Sequence, residues 1–415
     1  MAVLRAFKGI CPVRERVAEI ASRPYDVLDR MEAAKEAAGN PLSFLHVIKP
    51  EIDLPETTDE HAPEVYAKGY ANFRKMLTDG VFLASDRKSL YIYAQTMDGR
   101  TQYGIVGCAS VDDYMNNVIR KHELTRPDKE EDRRNHIRTS GLNYEPVFFA
   151  YPAVKEIDAI VERQSAAPPV YEFTTDDGIG HRFWLIDHQP TIDRLITLFA
   201  AIPRTYVADG HHRTAAAAGV GMEKRQANPN HTGNEEYNFF LAVHFPDRQL
   251  KIFDYNRVVK DLNGHSESSF LTALSQGFEV ECKGTEEYRP AALHEFGMYL
   301  GGKWYALKAR RSVCNDADPI GCLDVTVLSE QVLVPLLNIT DLRHSKRIDF
   351  VGGIRGLGEL KRRVDAGEMA AAFALYPVSM KQLINIADSG NIMPPKTTWF
   401  EPKLRSGLVV HNINE

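Results

Sequence analysis

Cysteine is scarce: five residues (Cys11, Cys108, Cys282, Cys314, Cys322) in a chain of 415, widely spaced and with no CxxC pair. That spacing rules out a zinc ribbon and disfavours a disulfide framework, so free thiols in a reducing compartment are expected. Long apolar runs are also missing. The longest candidate, Leu195 to Ile202, stops at Pro203, well short of a membrane span. Met1 to Lys8 lacks the apolar core of a secretory signal. A soluble, cytoplasmic protein with no membrane partner is the expectation. There is no excess of positive charge: Lys and Arg total 50 against 56 Asp and Glu, a formal net charge of -6. No polybasic arm offsets this, and a nucleic-acid partner is not expected, because such binding rests largely on displacing counterions from phosphates. No GxxxxGK[ST] loop and no GxSxG elbow occur, which argues against a P-loop nucleotidase and a serine hydrolase. Internal repeats and low-complexity tracts are absent too.

What is present suits packed cores. Hydrophobic residues make up 44% of the chain, with 19 Phe and 17 Tyr. The length exceeds what one core usually serves, so two domains are expected, 1–260 and 261–415. The fold class read from the order of elements is α/β (α+β). Pro63 to Leu77 has apolar positions Val65, Tyr66, Tyr70, Phe73 and Leu77 at helical spacing, with Pro63 suited to a first helical position. Ser89–Ala94 and Thr101–Gly107 predict a hairpin around Met97-Asp98-Gly99. Thr205–Ala208 reads as a short strand that runs into Asp209-Gly210-His211-His212-Arg213 and then into Thr214 and four alanines, a strong helix former.

That strand–turn–helix junction carries the most chemistry. Gly210 gives the backbone freedom for a sharp turn. The helix start offers unpaired N–H groups and partial positive charge, which suit a phosphate. Arg213 adds bidentate donors, His211 and His212 can donate to an oxyanion or shuttle a proton, and Asp209 could orient a hydroxyl or hold Mg²⁺. Singly, each residue reads as a helix cap or a surface polar group; five together after a strand favour a site. A second segment, His122-Glu123-Leu124-Thr125-Arg126-Pro127-Asp128-Lys129, opens like HExxH but has Arg126 at the fifth position, so that zinc motif fails. Its charge is the mark of a solvated face, yet Glu123 is a reasonable general base if it lies beside Asp209. Gly352 to Gly358 loosely echoes GxGxxG and reads better as a structural loop. Met393 to Lys403, with Lys396, Trp399 and Lys403 in a proline-framed stretch, reads equally as a pocket wall or an ordinary loop.

Taken together, RPYDV (23–27), NPLSFLHVIKPE (40–51), HELTRPDKEEDR (122–133), YVADGHHRTAAA (206–217) and MPPKTTWFEPKL (393–404) resemble a bacterial and archaeal family known as a conserved domain of unknown function. More distantly, the order of a Glu-containing segment, a helix, a Pro-led strand and a strand ending in DGHHR is similar to the ParB/sulfiredoxin-like fold. Within it the chain resembles the free serine kinases. The resemblance implies a ParB/sulfiredoxin-like core with large insertions and an added C-terminal α/β domain. It also implies phosphorylation of free L-serine, or a related small hydroxyl metabolite, with ATP or ADP and Mg²⁺. Glu123, Asp209, His211 and His212 would be catalytic. Gly210, His211, His212, Arg213, Thr214, Arg126 and Lys129 would bind nucleotide or phosphate. His122, Lys396, Trp399 and Lys403 would line the substrate pocket, and Asp209 would hold Mg²⁺. The partners implied are a small-molecule substrate and a nucleotide, and a homo-oligomer is compatible with the sequence. Two rival readings use the same residues: a nucleotide or phosphoester hydrolase, and a nucleotide-binding regulator of ParB type. The long insertion between Val147 and Tyr206, and the N- and C-terminal regions, have no counterpart in the small kinases.

Overall fold

The computed structural model describes residues Met1–Glu415 as a mixed α/β chain. It divides into two compact units, Met1–Leu250 with Pro402–Glu415, and Lys251–Glu401. The division falls ten residues before the expected 260/261 boundary, and the last segment differs more: Pro402–Glu415 returns to the first unit instead of closing the second. The reason is a strand. Val410–Asn412 pairs antiparallel with Gly9–Pro12 on one side and Leu142–Asn143 on the other, and Val410 is fully buried there.

The first unit is built on an eight-stranded mixed sheet. In spatial order its strands are Ile119–Arg120, Thr205–Asp209, Val147–Tyr151, Phe239–Pro246, Arg100–Ser110, Leu90–Met97, Gly180–Ile186 and Tyr171–Thr174. The predicted hairpin lies at its centre and is longer than expected. Met97 pairs with Arg100, while Asp98 and Gly99 both have positive φ (51° and 74°), as a two-residue turn matched to strand twist requires. The helix Pro63–Thr78 begins with proline and buries Val65, Tyr66, Phe73 and Met76. Two helices, Pro127–Ser140 and His211–Ala227, pack together over Val147, Phe149 and Val207. The alanines 215–218 are all buried in that contact, where their small side chains let the helix lie close to the sheet.

The charged segment does not form a simple solvated face. Pro127–Ser140 is a helix that buries Asp132, Arg133, His136 and Ile137. Such burial is tolerable only because the charges are paired. Arg133 donates to Asp132 at 2.6 Å and 2.9 Å, and its guanidinium stacks 3.8 Å over the Tyr25 ring. The Asp132 carboxylate also accepts from Tyr66 Oη at 3.0 Å.

The second unit is a six-stranded sheet, antiparallel throughout, ordered Phe278–Gly284, Lys303–Ala309, Glu295–Leu300, Ala371–Leu375, Tyr255–Val259 and Ile348–Gly352. The Gly-rich run ends the last of these strands and leads through a short turn into the helix Gly356–Asp365.

Candidate functional site

The strand Thr205–Asp209 lies between Ile119–Arg120 and Val147–Tyr151. Its register against Val147–Tyr151 shifts between Val207 and Asp209, a bulge that re-aims the strand end. Gly210 follows at φ 89°, a left-handed conformation that glycine adopts without steric cost. A Cβ there would sit 3.1 Å from the Arg213 guanidinium, so the turn needs glycine for space as well as for φ. The helix His211–Ala227 starts at the next residue, with no side chain capping its N-terminus. Its first N–H groups therefore have no intrahelical acceptor.

Asp209 is held by cations from two directions. Arg213 Nη2 donates to its Oδ2 at 3.0 Å, and Lys403 Nζ donates to its Oδ1 at 2.9 Å. Burial pushes this carboxyl up, but Lys403 and then Arg213 outweigh it and bring the pKa down to about 2. Arg213 is itself locked, donating from Nη1 to the Pro146 carbonyl at 2.6 Å and lying 3.7 Å from Asp26. Asp209 was expected to hold Mg²⁺. With a cationic nitrogen on each oxygen it does not fit a divalent cation. Thr214 likewise departs from the phosphate-binding role expected of it. It is fully buried, and its hydroxyl turns back to donate to the Gly210 carbonyl at 2.9 Å.

On the other side of the turn, His122 and Glu123 follow the edge strand Ile119–Arg120. His122 is buried against His211, ring centroids 4.5 Å apart and planes at 89°. Glu123 reaches His211 from the open side, Oε2 to Nδ1 3.8 Å, with its side chain 43% exposed. Burial lowers the pKa of His122 to about 4 and that of His211 well below the ordinary value; Asp209 pulls both back only in part. Both imidazoles are thus neutral at physiological pH. His212 is half-buried, lowered by desolvation, and accepts the Arg126 backbone N–H on Nε2 at 3.0 Å. That bond ties the two motifs together. The Arg126 guanidinium is exposed and pairs with Asp128 at 2.6 Å, and Lys129 is exposed on the first turn of the Pro127–Ser140 helix.

The structure therefore brings Glu123, His122, Asp209, His211, His212, Arg213 and Lys403 into one cluster. Lys396 and Trp399 belong to the second unit, where Arg257 donates to the Lys396 carbonyl at 2.9 Å and Trp399 pairs with Phe253. Three further residues escaped the sequence reading. Asp26 lies beside Arg213, Glu145 accepts the Tyr25 N–H at 3.1 Å, and Arg133 lies 3.6 Å from Glu145. Asp26 lies in RPYDV and Arg133 in HELTRPDKEEDR, but nothing local in the sequence marks them, or Glu145, as ion-pair partners.

The sheet with its bulged strand and open helix start defines a mixed α/β protein whose ionic side chains converge on a strand–turn–helix junction. The chain belongs to the family described as "Protein of unknown function (DUF1015)", whose model matches residues 4–326. No curated protein matches it. Among solved structures, it is similar to a conserved hypothetical protein from Pyrococcus furiosus (15% identity, 73% of this chain and 93% of that one, TM-score 0.35). It is similar also to a free serine kinase in complex with AMP (13%, 72% and 86%, TM-score 0.35). A third is SbnI with C-terminal truncation from Staphylococcus aureus (14%, 71% and 82%, TM-score 0.38). No helix is long and apolar enough to cross a membrane.

Proposed function

We propose that the chain is a small-molecule phosphotransferase that phosphorylates the hydroxyl of free L-serine, or of a related small metabolite, with ATP or ADP as donor. The observation that carries the reading is the partly exposed Glu123 carboxylate, 3.8 Å from the neutral His211 that opens an uncapped helix. Phosphoryl transfer asks little covalent chemistry of a protein; it asks for alignment, charge stabilisation and a base near the acceptor hydroxyl. Glu123 supplies the base. The N–H groups of His211 and His212 and the helix dipole supply an anion seat. Neutral His211 can donate a hydrogen bond to a phosphate oxygen without the repulsion that a cation would meet at a helix N-terminus. Arg213 and Lys403 act through Asp209, fixing the turn on which those groups sit. The likeness of the DGHHR turn to the free serine kinases, with a Glu-containing segment before it in the same order, supports the same assignment.

The test is ³¹P NMR of purified protein with L-serine, Mg²⁺ and ATP or ADP. A new phosphomonoester signal that depends on serine is expected, and Glu123→Gln should slow its appearance at least about 100-fold, the usual scale of general-base catalysis. Nucleotide loss without that signal would replace the reading with hydrolysis. No turnover with any donor would sink it.

A further inference from the structure

We infer that His122, Glu123 and His211 form a binding site for one divalent first-row transition ion of the zinc, manganese or iron type. Each offers one ligand atom, and the three atoms lie within 4.8 Å of one another. Around an ion with bonds of 2.0–2.1 Å in tetrahedral geometry such atoms stand about 3.3 Å apart, so modest side-chain closure completes the site. The closest measured pair, Glu123 Oε2 and His211 Nδ1, is already at 3.8 Å.

The surroundings favour coordination. His122 hydrogen-bonds to the backbone of Val207, the kind of outer contact that orients a liganding histidine. The helix N-terminus opposes a cation here, but its partial charge of about half a unit is smaller than the full negative charge of Glu123. Two imidazoles and one carboxylate suit a borderline ion better than Mg²⁺, which prefers an all-oxygen shell. The exposed side of Glu123 leaves coordination positions open to water or to a substrate oxygen.

This inference does not depend on the phosphotransferase reading. A carboxylate bound to a metal cannot also take a proton, so occupancy and base service by Glu123 are alternatives. Metal content would then decide which state the site is in.

The experiment is a Co²⁺ titration of untagged, chelator-stripped protein, followed by visible absorption and equilibrium dialysis. One Co²⁺ per chain with ligand-field bands is expected, displaced by Zn²⁺ and unaffected by millimolar Mg²⁺. Glu123→Gln and, separately, His211→Ala should each weaken binding at least about tenfold. If His211→Ala proves unfolded by circular dichroism, the partly exposed Glu123→Gln decides alone. Absence of Co²⁺ binding, equal binding by Glu123→Gln, or displacement by Mg²⁺ would each overturn the assignment. Since no phosphoryl transfer is measured, either inference can fail without the other.

Discussion

Three residues show how much the site depends on placement. Lys403 and Arg213 hold Asp209 ionised, with its pKa down at about 2. A depressed carboxyl contributes stability that is full above its unfolded value near 3.8 and is lost as pH falls through about 2. Lys403→Met should therefore lower the urea midpoint by a constant amount from pH 7 to about 4, with the gap narrowing in stronger acid. A gap that stays constant below pH 4 would mean that Lys403 stabilises by packing alone. Gly210→Ala meets both a positive φ and the Arg213 guanidinium, and a loss of about 1–2 kcal/mol is expected from the backbone alone. Equilibrium unfolding would measure it. His244 poses the opposite case. It is buried between the rings of Phe149 and Phe199, and neither ring nitrogen has a hydrogen-bond partner. An unsatisfied buried polar group costs about 1–3 kcal/mol, so His244→Leu, close to it in volume, should raise the melting temperature.

At the scale of elements, local signals are legible in the sequence and distant ones are not. The Asp98-Gly99 turn, the Pro63 helix start and the Gly210 turn each follow from a few neighbouring residues, and each is visible in the sequence. The Pro127–Ser140 helix was a different matter. Its run of charges looks solvated, because nothing within it shows that Tyr25, Tyr66 and Glu145 will come to receive Asp132 and Arg133. Removing one member should be costly: Asp132→Ala leaves Arg133 buried with only the more distant Glu145 opposite, and a loss of about 3–5 kcal/mol is expected by denaturant unfolding. A loss under about 1 kcal/mol would place that pair in the class of surface ion pairs. Thr214 serves the backbone instead of a phosphate for a local reason. A hydroxyl four residues beyond a carbonyl can serve the helix's own backbone, and here it does.

Across the whole molecule, burial of histidine sets the response to acid. His122, His136, His181, His211, His244 and His411 are all buried, and burial lowers the pKa of every one. For His122 the value falls to about 4, and for His181 and His244 to about 3. The unfolded chain takes up protons near pH 6.5 while the folded chain does not, so stability rises with pH across that interval. Each such histidine contributes about 1.4 kcal/mol per pH unit between its unfolded and folded values. A steep loss of stability is therefore expected as pH drops from about 6.5 to 4, steeper than carboxylates alone would give, and urea midpoints across that range would measure it. His244→Leu should flatten the slope as well as raise the midpoint. The sequence displayed the 14 histidines but not which would be buried, since that is decided by strand register and sheet packing. The return of Pro402–Glu415 to the first unit was hidden for a related reason: pairing across such a distance leaves no local trace.

That return also sets a timetable. A ribosome works from the N-terminus and delivers Asp209 194 residues before Lys403. The whole of Lys251–Glu401 must be translated in between. At typical synthesis rates of about 5–20 residues per second, the acid waits on the order of ten seconds or more for its lysine. During that delay the nascent first unit also lacks Val410–Asn412, so Gly9–Pro12 and Leu142–Asn143 have open edges that another strand could occupy.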